Sequence, residues 1–381
     1  MVNPPLSLYI HIPWCVQKCP YCDFNSHGQK QQSLPEAEYI SHLLDDLAED
    51  APLVKGRQVS TIFFGGGTPS LFSPEGIGRL LQGVAERVDL ASEAEITLEA
   101  NPGTVESEKF AGFAEAGVNR LSIGVQSFQA DKLERLGRIH DSAQAKAAAG
   151  YANQAGLRSF NLDLMHGLPD QSTEEALDDL KQAIAQAPPH LSWYQLTIEP
   201  NTLFASQPPE LPQDDTLWAI QEQGHKLLSQ AGYEQYEISA YAKPGQQCLH
   251  NLNYWRFGDY LGIGCGAHGK ITDADQGRIE RRVKVKHPKG YMDLSRPYLY
   301  QSTEVPAEER PFEFLMNRLR LVEPCPKLDY EHFTGLTTTE FGVSNALQRG
   351  IDQGLLADSN RHWQVTTKGR RYLNSLLELF V

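Results

Sequence analysis

From residue 6 to about residue 200, short runs rich in β-branched and aromatic residues alternate with helical patterns, and this alternation restricts the fold more than any other feature of the chain. Strands are expected at 6–12, 59–64, 94–99, 120–125, 158–164 and 191–198. Helices are expected between them. At 38–49, Ile40, Leu43, Leu44 and Leu47 recur at i, i+3, i+4 and i+7, and at 74–88 Ile77, Leu80, Leu81, Val84 and Val88 mark one face. Strands alternating with amphipathic helices build βα units around a parallel sheet, so the expected class is α/β. In such folds ligands sit at the carboxyl ends of the strands. These ends carry His11 after the first strand, GGGTP at 65–69 after the second, Glu99-Ala-Asn-Pro after the third, Gln126 after the fourth and Asp163 in the fifth, and they should converge on one pocket.

The rest of the chain is organised differently. Residues 200–300 are less regular, with PPELP at 208–212 and one helical stretch at 216–230; from about 310 come short amphipathic helices at 312–321 and 344–354, a hairpin in LLADSNRHWQVT and a final helix at 368–380. Helices, a small hairpin and a closing helix resemble a winged-helix module. Three regions are expected: a core at 1–240, a linking region at 241–305 and a C-terminal module at 306–381. The length of 381 residues suits two or three domains at about 100–200 residues each. Mean hydropathy is -0.42, and no run approaches the roughly 18 apolar residues of a membrane span. The N-terminus lacks the basic and apolar regions of a signal peptide, which places the chain in the cytoplasm as an expectation. A net charge of -14 weighs against nucleic acid as a main partner.

Six cysteines are present, and Cys15, Cys19 and Cys22 fall within eight residues in the loop after the first strand. In a reducing compartment such clustering reads as metal ligation or redox chemistry rather than a disulfide framework. Thiolates at i, i+4 and i+7 can wrap a [4Fe-4S] cluster and leave one iron with an open position. The alternatives are a zinc site completed by His11, His27 or a distant Cys, or three unrelated buried thiols.

CVQKCPYC after the first strand, with GGGTP after the second, resembles the radical S-adenosylmethionine (SAM) superfamily. The resemblance implies a partial (β/α)6 barrel, a [4Fe-4S] cluster on Cys15, Cys19 and Cys22, and SAM on the open iron. Tyr21 would pack on the adenine, Gly66 and Gly67 would allow close backbone approach, and Thr68 would add a hydroxyl. YIHIPWCVQKCPYCDF, FFGGGTPS, ITLEANPGT, RLSIGVQSF, LGRIH and NLDLMHGLP, with the C-terminal module, resemble the oxygen-independent coproporphyrinogen dehydrogenase family over nearly the whole chain. By that resemblance Tyr9, Gly66, Glu99 and Gln195 would serve the cluster-bound SAM. Gly67, Thr68, Gln126, Arg138 and Asp163 would line a neighbouring region suited to a second SAM, although Asp163 and Arg138 would equally make a plain buried ion pair.

The dehydrogenase pattern has a further Cys two positions after the third ligand, and this chain has Phe24 there. Phe24, together with the HNxxYW motif His250-Asn-Leu-Asn-Tyr254-Trp255, resembles the heme-chaperone branch of the family. That implies heme as cargo, with acceptors such as membrane-bound respiratory heme proteins. His250 would offer an imidazole to iron, and Tyr254 and Trp255 flat apolar area to a porphyrin. Read without the resemblance, the same residues are a satisfied histidine and core aromatics. Cys248 is an alternative thiolate, and Cys325-Pro326 is a dipeptide too short to carry an assignment. The basic segment 278–289, RIERRVKVKHPK, would neutralise heme propionates or touch an anionic membrane surface, or else forms a solvated strand. The rival functions are a coproporphyrinogen dehydrogenase and a radical SAM enzyme with an unrelated substrate.

Overall fold

Apolar and polar side chains alternate along six parallel strands, giving each an outer and an inner face. The structure, a computed structural model, describes residues 1–28 and 33–381. Strands β1 (Leu6–Ile12), β2 (Gln58–Gly66), β3 (Asp89–Ala100), β4 (Arg120–Gln126), β5 (Ser159–His166) and β6 (His190–Gln195) lie side by side in chain order, all parallel. Leu8, Ile10, Ile62, Leu98 and Ile123 bury in a core shared with Leu43 and Leu47 of α1 (Glu36–Asp50) and with Ile77 and Leu80 of α2 (Pro74–Ala85). Each such side chain contributes about 1.5–3 kcal/mol. The alternate residues Tyr9, Phe63, Glu99, Ser122, Asp163 and Ser192 line the interior. Capping boxes start α3 (Ser142–Gln154) at Asp141 and α4 (Thr173–Ala185) at Ser172, each satisfying otherwise orphaned N–H groups. The first strand matches its expected bounds. The sixth stops at Gln195, short of 198, because Thr197 turns to bond Glu199 and Thr202 caps the next short helix.

The stretch 241–305, expected as a linking region, is instead part of the same sheet. β7 (Glu234–Gln235) and β8 (Ala240–Ala242) extend it beyond β6; β9 (Asp259–Ile263) pairs parallel with β1, and β10 (His268–Asp273), β11 (Arg278–Lys284) and β12 (Leu299–Glu304) follow antiparallel. The basic segment is also revised. Lys284 is buried against Asp46 (2.5 Å) and Asp50 (2.7 Å), Arg282 meets Asp50 (3.0 Å), and Arg281 meets Glu313 (2.6 Å). These charges fasten β11 to α1 and to the C-terminal module, leaving Lys286 and Lys289 exposed.

The helix expected at 216–230 is α5 (Asp214–Gln230), and α6 (Leu249–Trp255) carries the HNLNYW motif. The C-terminal module contains α7 (Arg310–Arg318), α8 (Lys327–Thr334), α9 (Val343–Asp352) and the hairpin Leu356–Asp358 with His362–Val365. Phe314, Leu315, Tyr330, Leu347 and Trp363 form its core, which also takes in Phe257 and Ile279 from the sheet side. The expected helix at 368–380 is broken at Tyr372 (φ -116°, ψ 43°). The break lets the Arg371 guanidinium cover Trp218 of α5 at 3.9 Å while Leu376 and Leu377 bury. Among the described residues no helix is long and apolar enough to cross a membrane.

Candidate functional site

The loop leaving β1 is tied down on three sides. Trp14–Cys15 pairs with His27–Gly28, the Asn25 side chain donates to the Cys265 and Lys286 carbonyls (3.0 and 2.8 Å), and the Gly67 and Thr68 N–H groups donate to the Ile12 and Trp14 carbonyls (2.8 and 2.7 Å). The last pair brings the glycine loop against the cysteine loop. Cys15, Cys19 and Cys22 then line one cavity of about 290 Å3, together with Gly66, Thr68 and Arg138. Burial pushes the Cys15 and Cys22 thiols up. Arg138 Nη1 lies 3.7 Å from Cys19 Sγ. Among the described residues no group of three or more His, Cys, Asp or Glu side chains is gathered closely enough to hold a single metal ion, Cys15, Cys19 and Cys22 included. His11, weighed as a fourth zinc ligand, has both ring nitrogens engaged, by the Tyr9 hydroxyl and the Asn25 carbonyl (2.9 Å each).

The glycines have a packing reason of their own. Gly66 has φ +111°, and a Cβ there would come within 2.4 Å of the His11 ring; at Gly67 it would come within 2.5 Å of the Trp14 carbonyl. Both positions therefore demand glycine for the loop itself, whatever ligand approaches it.

Most of the expected residues do converge. Thr68 accepts from Asn101 (3.2 Å). Tyr21 packs 6.4 Å from Phe204 beside the cysteines. Gln126, at φ 69°, accepts from the Tyr194 hydroxyl (2.9 Å). Glu99 receives the Gly66 N–H (3.3 Å); burial, reinforced by the nearby Asp163 carboxylate, pushes its pKa up to about 8. Arg138 donates to Asn101 (2.8 Å) and the Gly124 carbonyl (2.6 Å), and Asp163 accepts from Ser122 (3.0 Å) and Asn161 (2.8 Å). The alternative Arg138–Asp163 ion pair is thus not formed. Gln195 is exposed and lies outside both cavities. Its strand neighbour Tyr194 faces inward instead, as a period of two requires.

A second, larger cavity of about 1050 Å3 shares Gly66, Glu99, Ser122 and Asp163 with the first. Tyr9, Phe63, Tyr254, Trp255 and Tyr260 give it aromatic walls. Its floor depends on Glu95. That buried carboxylate accepts the Leu249 and His250 N–H groups (3.1 and 3.0 Å) at the start of α6, so it caps the helix that carries HNLNYW. His250 has no exposure; Nδ1 bonds Thr61 Oγ1 (2.8 Å), Nε2 bonds the Tyr254 hydroxyl (3.0 Å), and burial lowers its pKa to about 3. His250 lines the cavity beside Tyr254, and an iron would reach its Nε2 only by displacing the Tyr254 hydroxyl. Tyr254 and Trp255 do face the cavity, and the Trp255 indole N–H is buried with no partner. Cys248 is buried beside Glu95 (3.6 Å), its thiol pushed up to about 12 by burial, which disfavours a thiolate. Phe24 is 60% exposed and lines both cavities.

Glu95, Arg120, Asn25 and Tyr194 were not singled out by their residue types alone. Polar residues at every second position of β3 and β4, Glu95-Thr97-Glu99 and Arg120-Ser122, were the available signal: an inner face with polar work to do.

A parallel βα barrel with three clustered cysteines at the mouth of its first strand defines the radical SAM class, and residues 9–181 match the family model "Radical SAM superfamily". Residues 305–372 match "HemN C-terminal domain". The chain is 62% identical to the heme chaperone HemW of Escherichia coli strain K12, over 99% of this chain and 98% of that one. It is 60% identical to HemW of Haemophilus influenzae, over 99% and 98%. Similarity extends at 35% to the mitochondrial radical S-adenosyl methionine domain-containing protein 1 of Mus musculus, over 97% and 86%. Among solved structures, coproporphyrinogen III oxidase (HemN) of Escherichia coli superposes with a TM-score of 0.84 at 25% identity, over 99% of this chain and 90% of that one. The chain belongs to the HemW family of radical SAM proteins.

Proposed function

We propose that this chain is a heme chaperone of the cytoplasm that holds a [4Fe-4S] cluster and SAM in the smaller cavity, takes heme into the larger one, and passes it to acceptor heme proteins such as membrane-bound respiratory enzymes. The observation that carries the reading is the aromatic-walled cavity of about 1050 Å3 opening directly onto the cysteine cavity. Its size stands at the upper end of the roughly 300–1,000 Å3 of small-molecule sites, as a tetrapyrrole needs. The donor types suit a three-thiolate cluster: Cys15, Cys19 and Cys22 line one cavity, and Arg138 stands beside Cys19. Such a cluster supplies an open iron for the amino and carboxylate groups of SAM and the radical chemistry of the class. Around it, Tyr21 would flank the adenine, Glu99 would accept from ribose hydroxyls, and Gln126, Arg138 and Asp163 would hold polar groups of a second SAM. Lys286 and Lys289, the exposed remainder of the basic segment, would meet an anionic membrane surface during transfer.

The rival reading, coproporphyrinogen dehydrogenase, is supported by the likeness to HemN and opposed by Phe24, which cannot ligate or exchange a proton where that family's pattern has a further Cys. Anaerobically reconstituted protein, given hemin and separately coproporphyrinogen III with SAM and reductant, separates the two. Saturable hemin binding without protoporphyrinogen IX formation is expected; steady conversion of coproporphyrinogen III would overturn the proposal.

A further inference from the structure

Six basic side chains are buried among the described residues: Arg120, Lys132, Lys270, Lys284, Arg310 and Arg318. Five have a carboxylate within ion-pair distance. Arg120 has none, and no side-chain hydrogen bond reaches its guanidinium from any described residue; its Nε is buried without a partner. The residue is 3% exposed, stands on the inner face of β4, and lines the larger cavity with Ser122, Asn161 and Asp163. Glu95 and Asp163 attract the guanidinium from beyond ion-pair distance, but neither bonds it directly. Glu95 caps α6 through Leu249 and His250, and Asp163 accepts from Ser122 and Asn161.

A buried guanidinium that makes no direct ion pair or side-chain hydrogen bond leaves its donors unmet, and such groups persist where a ligand supplies the acceptor. A guanidinium presents a planar fork matched to a carboxylate. We infer that Arg120 is the anchor for a carboxylate of the ligand in the larger cavity, so that a heme enters with its propionate edge toward β4 and its apolar edge toward Phe24 and Trp255 at the opening. The inference rests on the heme reading above and adds an orientation and a specificity determinant to it. It also separates the cations around the cavity: Lys270 and Arg281 are neutralised by Asp259 and Glu313, Lys18 and Lys286 are exposed, and Arg120 is the buried one available to the cargo.

The test compares hemin with hemin dimethyl ester, which keeps the macrocycle and iron but has no carboxylates, on the reconstituted full chain and its Arg120→Met and Arg120→Lys variants. Hemin should bind the unsubstituted protein at least tenfold more tightly than the ester. Arg120→Met should erase most of that preference by weakening hemin while leaving the ester unchanged, and Arg120→Lys should keep part of it. Because the guanidinium makes no direct ion pair and feels Glu95 and Asp163 only from a distance, ligand-free Arg120→Met should keep most of the parent's urea midpoint; a collapse of that midpoint would make Arg120 structural and overturn the inference. A preference retained in full by Arg120→Met, or no preference in the parent, would overturn it while leaving heme binding intact. Binding of neither ligand would overturn the heme reading itself.

Discussion

His250 shows how a residue can stand out in sequence while its bonding does not. The HNLNYW segment stands out, but the hydrogen bond that settles the imidazole comes from Thr61, 189 positions away, and no local pattern reports it. With both nitrogens bonded and no exposure, His250 stays neutral in the fold at a pKa of about 3, while the unfolded chain takes up a proton as pH falls through about 6.5. The unfolded state therefore binds more protons below pH 6.5, and the stability this residue contributes is present above that pH and lost below it. His250→Gln removes the effect. Its destabilisation relative to the parent, measured by urea unfolding of the ligand-free chain, should be about 1.4 kcal/mol smaller at pH 5.5 than at pH 7.5. A difference independent of pH would contradict a buried neutral imidazole. Residues at the cysteine loop were easier to read, because ligand spacing is local: Cys15, Cys19 and Cys22 end on one cavity wall. Replacing any one with Ala should abolish the iron-sulfur absorbance of reconstituted protein, and full absorbance in such a variant would refute the assignment.

Elements were legible where periodicity was strong and blurred where tertiary bonds decide. The first strand is found at its expected bounds because alternate Leu6, Leu8, Ile10 and Ile12 bury while Ser7, Tyr9 and His11 turn inward. The basic strand β11 was recognised as charged but not as internal, since its partners Asp46 and Asp50 belong to a helix more than 200 residues earlier. Lys284→Met would leave Asp46 buried without a cation and Asp50 with Arg282 still beside it, and should cost about 3–5 kcal/mol, whereas Lys289→Ala should stay within about 0.5 kcal/mol. Urea midpoints give both values; equal effects would return the segment to a solvated strand. Helix α6 depends on Glu95 in the same way. Glu95→Ala strips two N–H groups of their acceptor and should cost about 2 kcal/mol or more, with faster hydrogen exchange at the Leu249 and His250 amides.

At the scale of the whole molecule, the barrel and the C-terminal module share a core. Phe257 and Ile279 lie at 1% and 0% exposure against Phe314 and its neighbours, and the Arg256–Glu323 pair (2.6 Å) and Val322 N–H to Tyr236 carbonyl bond (2.9 Å) cross the same boundary. A chain ending at residue 305 should expose that apolar surface and aggregate or bind a hydrophobic dye; a monomeric, dye-silent truncation would show the module to be an appendage. The boundary was visible in sequence as a change of pattern, but the sharing was not, because it joins residues that neither pattern contains. On the proposed function, the macrocycle sits in the larger cavity, beside the cysteines. Ser192 lines that cavity and not the smaller one, so Ser192→Trp should fill it without touching the cluster. Titration of the reconstituted parent and of Ser192→Trp with hemin, followed in the Soret band, should give saturable micromolar binding in the parent and at least a tenfold loss in the variant with iron-sulfur absorbance intact. Equal hemin affinity in the two proteins would contradict the account.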